Sequence, residues 1–317
     1  MTVGVVSFLR GQAWIWSFLA TAAVWMATII FTGGVGGGQI LTAALSFAIF
    51  TVIVGIGQMF VITTGPGNVD LSIPATMALS GAVTTKLMDT QNELIALGVL
   101  VALGIGICVG VFNYLLIRLL RIPPIIATLS ASFLVQSTAI AYGRGLRIKP
   151  PPALADFTTA QIAGVPVLAL CGLAFTAIMG LVLARTMYGR SVLAVGQNMR
   201  AAWLAGINVE RTRLMTYMLS AMLAGLSGLL LSGFSGGSSL NMGEEYLLAS
   251  IAVVVIGGTS VAGGRANVPG IWGAALFLYL LVTMLNTFGA SAGLRLILSG
   301  LIIITVITLA GGGERKR

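Results

Sequence analysis

Ten long runs of apolar residues, separated by short polar segments, constrain this chain more than any other feature. A helix needs about 20 apolar residues to cross a bilayer, because it rises about 1.5 Å per residue and the hydrocarbon core is about 30 Å thick. Only 8% of the residues are charged, against roughly 25% in soluble domains. We therefore predict an all-α polytopic membrane protein with about ten transmembrane helices, forming one domain over residues 1–317. The runs cover about residues 12–32, 40–64, 74–88, 94–117, 122–142, 162–184, 214–236, 247–262, 268–288 and 294–310.

The third and eighth runs are short and are flanked by helix-breaking residues. Gly65-Pro66-Gly67 and Pro74 lie beside the third run, and paired glycines at 257–258 and 263–264, with Pro269, interrupt the region of the eighth and ninth runs. Broken or re-entrant helices are tolerated in membranes where protein or a water-filled cavity satisfies the freed backbone groups. If both short runs are re-entrant, the number of spans falls to eight.

The basic residues predict the orientation of the chain. Alternating spans place twelve of the seventeen Lys and Arg residues on one side and five on the other, and the basic side is normally cytoplasmic. Both termini and the loop 185–213 are therefore predicted to be cytoplasmic. The first run lacks a small-residue cleavage site, so no removable signal peptide is expected.

Several function classes are excluded or disfavoured by what the sequence lacks. Without histidine, imidazole metal sites and His-based catalysis are impossible. No G-x-x-x-x-G-K-[ST] phosphate loop occurs, so the chain is not expected to hydrolyse ATP itself. The net charge of +9 comes without a long basic tract, which disfavours nucleic-acid binding. We expect no catalytic residue, no metal and no cofactor bound by this chain.

The loop 185–213 is the most polar internal segment, and it contains signals for a short helix. Asn198 is a good N-cap and Gly206 a good C′ residue, which predicts a helix of about two turns over 199–205. Trp203 provides one bulky amphipathic anchor, and Asn208 is an N-cap for the next helix. Such a helix can insert into a groove on another protein or lie on anionic lipid, and composition alone leaves both open.

Small residues recur at four-residue spacing in the fourth and seventh runs. Such series let helix backbones approach closely, within one chain or between two. The sequence does not say which faces meet. The series are Ala102, Gly106 and Gly110, and Ser220, Ala224 and Gly228.

Uncharged polar residues inside the runs provide candidates for a solute pathway. Gln58, Thr128, Ser132 and Gln136 could hydrogen-bond a neutral polyol, or they could bond to neighbouring helices. No ionisable residue falls near the middle of a run, which weakens the interpretation as an ion-coupled carrier. That alternative, or a passive channel, stays open because broken helices also occur in carriers.

Four stretches of the chain resemble the ribose/xylose/arabinose-type sugar permeases of bacterial ATP-binding-cassette importers. The pattern GR-x5-G-x-N-x2-A-x4-GINV at 189–209 is specific to that family, and together the stretches span about residues 40–317. The other three are GIGQMFVITTGPGNVDLSIPA at 55–75, PPIIATLSASFLVQ at 123–136 and IAVVVIGGTSVAGGRANVPGIWGAAL at 251–276.

The resemblance implies a permease in the bacterial inner membrane with an architecture like that of vitamin-B12-type importers. Its implied partners are cytoplasmic ATPase subunits that use ATP, a second permease copy or paralogue, and an extracytoplasmic sugar-binding protein, in addition to the lipid bilayer. No nucleic acid is expected. The solute would be a monosaccharide or related small polyol.

The resemblance also implies which residues matter. The helix 199–205 would be the coupling helix, and Asp70 would belong to a DLS motif that caps a broken helix or gates the pathway. Two departures, Pro74 in place of a glycine and the absence of an acidic pair at Leu247 and Ala249, leave the solute undetermined. The coupling residues are Gly189, Arg190, Gly196, Asn198, Ala201, Ala202, Ala205, Gly206 and Ile207. The candidate pathway or gate residues are Gln58, Asn68, Asp70, Ser72, Thr128, Ser132 and Gln136.

Overall fold

The computed structural model describes a predominantly helical chain. It covers residues 13–34, 36–144 and 149–289, and also residues 291, 293, 294, 297, 298, 300, 301, 304 and 305. The helices are α1 (Ala13–Phe31), α2 (Gly37–Thr63), α3 (Ile73–Met88), α4 (Ile95–Leu119), α5 (Pro124–Gly143), α6 (Pro152–Thr159), α7 (Val167–Arg185), α8 (Met187–Gln197), α9 (Met199–Leu204), α10 (Val209–Phe234), α11 (Glu245–Ile256) and α12 (Val268–Thr287). A 3₁₀ turn (Asn92–Leu94) precedes α4, and strands β1 (Gln161–Ile162) and β2 (Val165–Pro166) form a small antiparallel hairpin before α7.

Each of the first nine predicted apolar runs corresponds to a helix. Seven helices in the described part of the chain are long and apolar enough to cross a membrane. The predicted short runs are α3, with 16 residues, and α11, with 12. The eighth run was predicted to continue to 262, but α11 ends at Ile256, because Gly257 and Gly258 turn the backbone and Gly258 has φ +91°. The tenth run and both termini lie largely outside the described residues.

Helices α2 and α10 form the centre of the molecule. Helix α10 packs against α2, α3 and α4, and α2 also packs against α11 and α12. Gly57 of α2 lies directly against the backbone of Ser220 in α10, where a side chain would collide with main-chain atoms. Close approach of this kind replaces the hydrophobic effect as the source of helix association in a membrane.

The first small-residue series lies against α10, but at positions beside the second series rather than at its members. Gly106 and Gly110 of α4 lie against the backbone of α10 at Ala221 and Tyr217, and Gly225 of α10 lies against Ala102. Gly228, the last member of the second series, contacts Met77 of α3 instead. The second series therefore faces other helices, with Ser220 against α2 and Gly228 against α3.

Helix α1 packs mainly on α12, at the other end of the described chain. Two hydroxyls attach it: Ser17 Oγ donates to the carbonyl of Gly270 at 3.3 Å, and Thr21 Oγ1 donates to the carbonyl of Gly273 at 2.7 Å. Only 17% of the membrane-length window of α1 is buried, against 67% for α12. The first helix is therefore a peripheral element held by polar contacts with a distant part of the chain.

Candidate functional site

Helix α9 has both of the caps that the sequence predicted. Asn198 accepts a hydrogen bond from the backbone N–H of Ala201 through its side-chain oxygen at 2.9 Å. At the other end, Gly206 adopts φ +83°, and the N–H groups of Gly206 and Ile207 donate to the carbonyls of Trp203 and Ala202. This pair of bonds is a Schellman motif. The helix covers Met199–Leu204, one residue shorter than predicted.

The same loop begins the next helix as expected. Asn208 accepts from the backbone N–H of Arg211 at 2.9 Å, and Glu210 lies in the first turn of α10, where the helix dipole favours an acid. Helix α9 is thus fixed at both ends by bonds that span three to five residues.

The surface of α9 is divided into an inner and an outer face. Ala202 is buried with Val195 and Val209, and the partly buried Ile207 packs against them. Trp203 and Leu204 point outward with 63% and 71% of their surface exposed. Ala201, Ala205 and Gly206 are also exposed. The outer face is therefore a small apolar projection on a rigid base.

Gly189 and Arg190 lie at the corner between α7 and α8, away from the outer face of α9. The side chain of Thr186 accepts from the N–H of Gly189 at 3.1 Å, and a side chain at Gly189 would collide with the carbonyls of Val182 and Leu183. Arg190 donates to the carbonyl of Arg185 at 3.2 Å. These contacts set the direction in which α8 leaves the membrane-length helix α7.

Gly196 connects the end of α8 with two other segments. Its Cα faces the carbonyl of Thr63 and the backbone of Gly264 so closely that no Cβ fits. The N–H of Gly264 donates to the carbonyl of Thr63 at 2.9 Å, and Gln197 donates to the carbonyl of Gly264 at 3.3 Å. The segment before α9 therefore touches both the end of α2 and the loop after α11.

The break between α2 and α3 is organised by Asp70, which is fully buried. One carboxylate oxygen, Oδ1, accepts from the backbone N–H of Ser72 at 3.0 Å and from its hydroxyl at 2.6 Å. The other, Oδ2, accepts from the hydroxyl of Ser220 in α10 at 2.8 Å. Burial raises the pKa of this carboxyl group, while the hydrogen bonds from Ser72 and Ser220 oppose that shift. In this geometry Asp70 holds Ser72, the residue immediately before α3, and connects it to α10.

Three further polar side chains complete the buried cluster. Asn113 of α4 donates to the Ser72 hydroxyl at 2.8 Å, Gln58 of α2 accepts from the Asp70 N–H at 3.1 Å, and Thr128 of α5 accepts from the Leu71 N–H at 3.1 Å. All three residues have no exposed surface. We call the set of Gln58, Asp70, Ser72, Asn113, Thr128 and Ser220 the Asp70 cluster. It joins α2, α3, α4, α5 and α10 at one place.

Asn68 lies next to this cluster but has different partners. Its side-chain oxygen accepts from Arg213 at 2.9 Å and from the Tyr217 hydroxyl at 3.2 Å, both in α10. Ser132 and Gln136 lie further along α5 and do not join the cluster. Gln136 is half-buried and donates to the carbonyl of Leu240 at 2.9 Å. The candidate pathway residues thus divide into five that are buried around the break and two that lie apart.

Sequence reasoning missed the partners that come from distant segments. Ser220 was considered only as a small residue for packing, and Arg213 and Tyr217 were not considered as site residues. Neither carries a local signal, because their contacts with Asn68 span 145 and 149 residues. Trp203 was recognised as an anchor, but the exposure of Leu204 depends on how α9 rests on α8 and α10. In the part of the chain that the structure describes, no three Cys, Asp or Glu residues come close enough to hold a metal.

Comparison with known proteins identifies permease components of transport systems. Residues 40–307 match the family described as "Branched-chain amino acid transport system / permease component". A ribose import permease protein of Bacillus subtilis (strain 168) is 32% identical over 271 residues, covering 84% of this chain and 81% of that protein. A fructose import permease protein of Rhizobium meliloti is 31% identical, covering 85% and 77%. An autoinducer 2 import system permease protein of Enterobacter sp. (strain 638) is 29% identical, covering 93% and 85%.

No solved structure matches the chain. The family match covers most of the chain, including α9, the Asp70 cluster and six of the seven membrane-length helices. The chain therefore belongs to this family of permease components, and it is a multi-pass membrane subunit of a transport system rather than an enzyme.

Proposed function

We propose that this chain is the transmembrane permease subunit of an ATP-binding-cassette importer that brings a monosaccharide or related small polyol into the cytoplasm. The energy would come from ATP hydrolysed by partner subunits. Two relatives of about 30% identity that match most of this chain are named for the import of ribose and of fructose. This agreement supports a sugar over an amino acid, although the family description mentions branched-chain amino acids.

The observation that carries the proposal is the outer face of α9. Trp203 and Leu204 are exposed on a helix that is capped at both ends and packed on Val195 and Val209. A rigid element that presents an aromatic and an aliphatic side chain is typical of an interface anchor, because little conformational entropy is lost on docking. In our proposal, α9 is the coupling helix and inserts into a groove of a cytoplasmic ATPase subunit.

The arrangement of the remaining parts follows from this assignment. The chain would have about ten spans in the architecture of vitamin-B12-type importers, with both termini in the cytoplasm of a bacterial cell and the spans in its inner membrane. The excess of basic residues on the side of α9 supports this orientation. A second permease copy or paralogue would complete the pathway, and an extracytoplasmic binding protein would deliver the sugar.

The contact of Gly196 with Thr63 and Gly264 suggests how docking reaches the membrane helices. A displacement of α9 would move the end of α8, which touches the end of α2 seven residues before Asp70. We propose that the break between α2 and α3 lies beside a gate, and that Asn68 and the Asp70 cluster hold this break in one of its conformations. Ser132 and Gln136 are less buried, so these two are better placed to contact a passing solute.

The coupling role can be tested with a double substitution, Trp203→Ala with Leu204→Ala. The complete importer, with ATPase subunits and binding protein, would be reconstituted in proteoliposomes, and ATP-dependent uptake of labelled ribose and fructose would be measured. We expect uptake to fall by roughly ten-fold or more, since truncating interface anchors typically costs about 2 kcal/mol or more. Ala202 is unsuitable for this test, because it is buried and its substitution would also disturb local packing.

Met187→Ala provides the matched control. Met187 is 81% exposed and lies in the same loop region, at the start of α8, but outside α9. Its substitution should leave uptake unchanged. Normal uptake with the double substitution would contradict the docking role. Sugar flux driven by an ion gradient, with the chain alone in the liposome, would instead favour an ion-coupled carrier.

A further inference from the structure

A cleft of about 370 Å³ opens beside the Asp70 cluster, where α4 ends, α5 begins and α10 begins. Its volume is within the range of small-ligand sites. Its charged lining consists of three arginines and one acid, and Tyr114, Ile117, Ile122, Pro123 and Pro124 form the rest. The charged residues are Arg118, Arg121, Arg213 and Glu210.

The acid neutralises just one of the three arginines. Glu210 Oε2 lies 2.6 Å from Nε of Arg118 and also accepts a hydrogen bond from the Tyr114 hydroxyl. Arg213 bonds to the neutral side chain of Asn68, and its Nε is buried without a hydrogen-bond acceptor among the described residues. Two guanidinium groups, those of Arg121 and Arg213, thus face the cleft without a carboxylate partner in the described part of the chain.

Arg121 has an unusual backbone conformation. Its φ is +54°, in the left-handed region that glycine and asparagine adopt more readily. This conformation is strained for residues that carry a long side chain. An exposed arginine in a strained turn, lining a cleft that holds a second guanidinium without a carboxylate partner, is a pattern expected of a binding residue.

Apolar side chains that are close in sequence to the residues lining the cleft are exposed. Leu119, Leu120 and Ile126 expose 69%, 63% and 55% of their surface, and Leu115 of α4 and Ile125 of α5 are also exposed. A ligand that matches both the arginines and this apolar surface has an anionic head and a long apolar body. Basic pockets between membrane helices on the cytoplasmic side are suited to the phosphate groups of anionic lipids.

We propose that this cleft binds the phosphate group of an anionic phospholipid, with Arg121 and Arg213 as its principal donors and the acyl chains along α4 and α5. Arginine is suited to this role, because its planar fork matches phosphate oxygens. The site depends on the chain being a membrane protein and is independent of the transported solute.

The test measures lipid binding by the full-length chain, purified in a non-ionic detergent. Binding of phosphatidylglycerol and of phosphatidylcholine would be quantified by native mass spectrometry, and inorganic phosphate would be added as a competitor in a separate arm. We expect a preference for phosphatidylglycerol that falls about five-fold in Arg121→Asn, since each basic residue near an anionic surface contributes about 1 kcal/mol. Asparagine tolerates the left-handed backbone, so this variant should fold.

Two further variants sharpen the result. Glu210→Gln removes the negative charge from the cleft while keeping an oxygen for Tyr114 and Arg118, so it should strengthen the preference for phosphatidylglycerol. Arg211→Asn removes a charge from the same turn of α10 outside the cleft and should leave the preference unchanged.

Three outcomes would overturn the proposal. One is an equal preference for the two lipids in the native chain. Another is complete displacement of bound phosphatidylglycerol by millimolar inorganic phosphate, which would identify a site for free phosphate. The third is an unchanged lipid preference in Arg121→Asn, which would show that this cleft is not where the lipid binds.

Discussion

Helix α9 and the Asp70 cluster are both polar features of an apolar chain, but they are built in opposite ways. Helix α9 is closed by hydrogen bonds between residues three to five positions apart, and its outer face is exposed. The Asp70 cluster is fully buried, and its bond between Asp70 and Ser220 joins residues 150 positions apart. The first region can be altered on its surface without disturbing the fold, whereas the second stabilises the packing of five helices.

This difference separates two contributions to transport. A docking element needs exposed side chains on a stable base. The side chains that bind the partner are therefore not the ones that stabilise the fold. In the buried cluster, the same hydrogen bonds determine both the position of the helix break and the stability of the helices around it. Substitutions in the two regions should therefore separate into effects on uptake and effects on unfolding.

The largest expected effect is from Asp70→Ala. This substitution removes the acceptor for the Ser72 N–H and for the hydroxyls of Ser72 and Ser220, all of which are buried. Buried donors without acceptors cost about 1–3 kcal/mol each, so we expect the free energy of unfolding to fall by about 3–5 kcal/mol in total. Denaturant titration in detergent, with tryptophan fluorescence as the signal, would measure this loss of stability.

Asp70→Asn is the matched control, since its amide keeps one oxygen acceptor. It should lose less stability than Asp70→Ala. If the free energy of unfolding of Asp70→Ala lies within about 1 kcal/mol of that of the native chain, the cluster does not stabilise the helix break as we have argued.

The second prediction concerns Gly196, which lies between the two regions. In Gly196→Ala, the new Cβ would press against the carbonyl of Thr63 and the backbone of Gly264. Overpacking of this kind costs about 1–3 kcal/mol. The same titration would measure the loss, and uptake by the reconstituted importer would show whether the contact also transmits coupling.

Gly180→Ala in α7 is the control for this substitution. The nearest atom to a Cβ there is a methyl group of Val268 at 4.0 Å, so the side chain has room. Alanine should be neutral or stabilising by about 0.5–1 kcal/mol, because it favours the helix over glycine. Equal losses in the two variants would mean that the close approach at Gly196 is not tight in solution.

A smaller effect is expected from Asn198→Ala. The substitution removes the side-chain oxygen that accepts from the N–H of Ala201, and loss of such a cap costs about 1 kcal/mol. Because α9 is short and local, hydrogen exchange at residues 201–204 should accelerate by about five-fold, while exchange in α10 stays unchanged. Asn198→Asp should restore protection, and a failure to do so would show that the cap is not what holds the helix.

The smallest expected effect on stability is from Trp203→Ala with Leu204→Ala. Both side chains are exposed, so the free energy of unfolding should change by less than about 0.5 kcal/mol. This is the variant expected to lose uptake. A large loss of stability here would remove the contrast between the two regions and would show that Trp203 packs within the protein.

The sequence predicted features that depend on neighbouring residues. The caps at Asn198, Gly206 and Asn208 were correct, because each acts over three to five positions. The third and eighth runs were correctly identified as short, because glycine and proline act where they stand. The end of α11 was misplaced, since apolar residues 261 and 262 continue the pattern after the backbone has already turned at Gly258.

Pairings between distant segments were not predictable from one sequence. Nothing near Ser220 distinguishes a hydroxyl that bonds to Asp70 from one that only allows close packing. Gly196 was identified through a family pattern, but its contact with Thr63 and Gly264 depends on the ends of α8 and α2 meeting the loop after α11. Ala201 and Ala202 were both predicted as coupling residues, and only the packing of α9 on Val195 and Val209 separates the buried Ala202 from the exposed Ala201.

The attachment of α1 to α12 has a consequence for the synthesis of this protein. Ser17 and Thr21 donate to carbonyls 253 and 252 residues later in the chain. At about 5–20 residues per second, a ribosome needs roughly 10–50 s to make the intervening segment. During that interval α1 has to wait in the bilayer without its main partner, so its hydroxyls bond to its own backbone, as both also do in the finished fold. Helix α1 is thus made long before α12, the helix on which it finally packs.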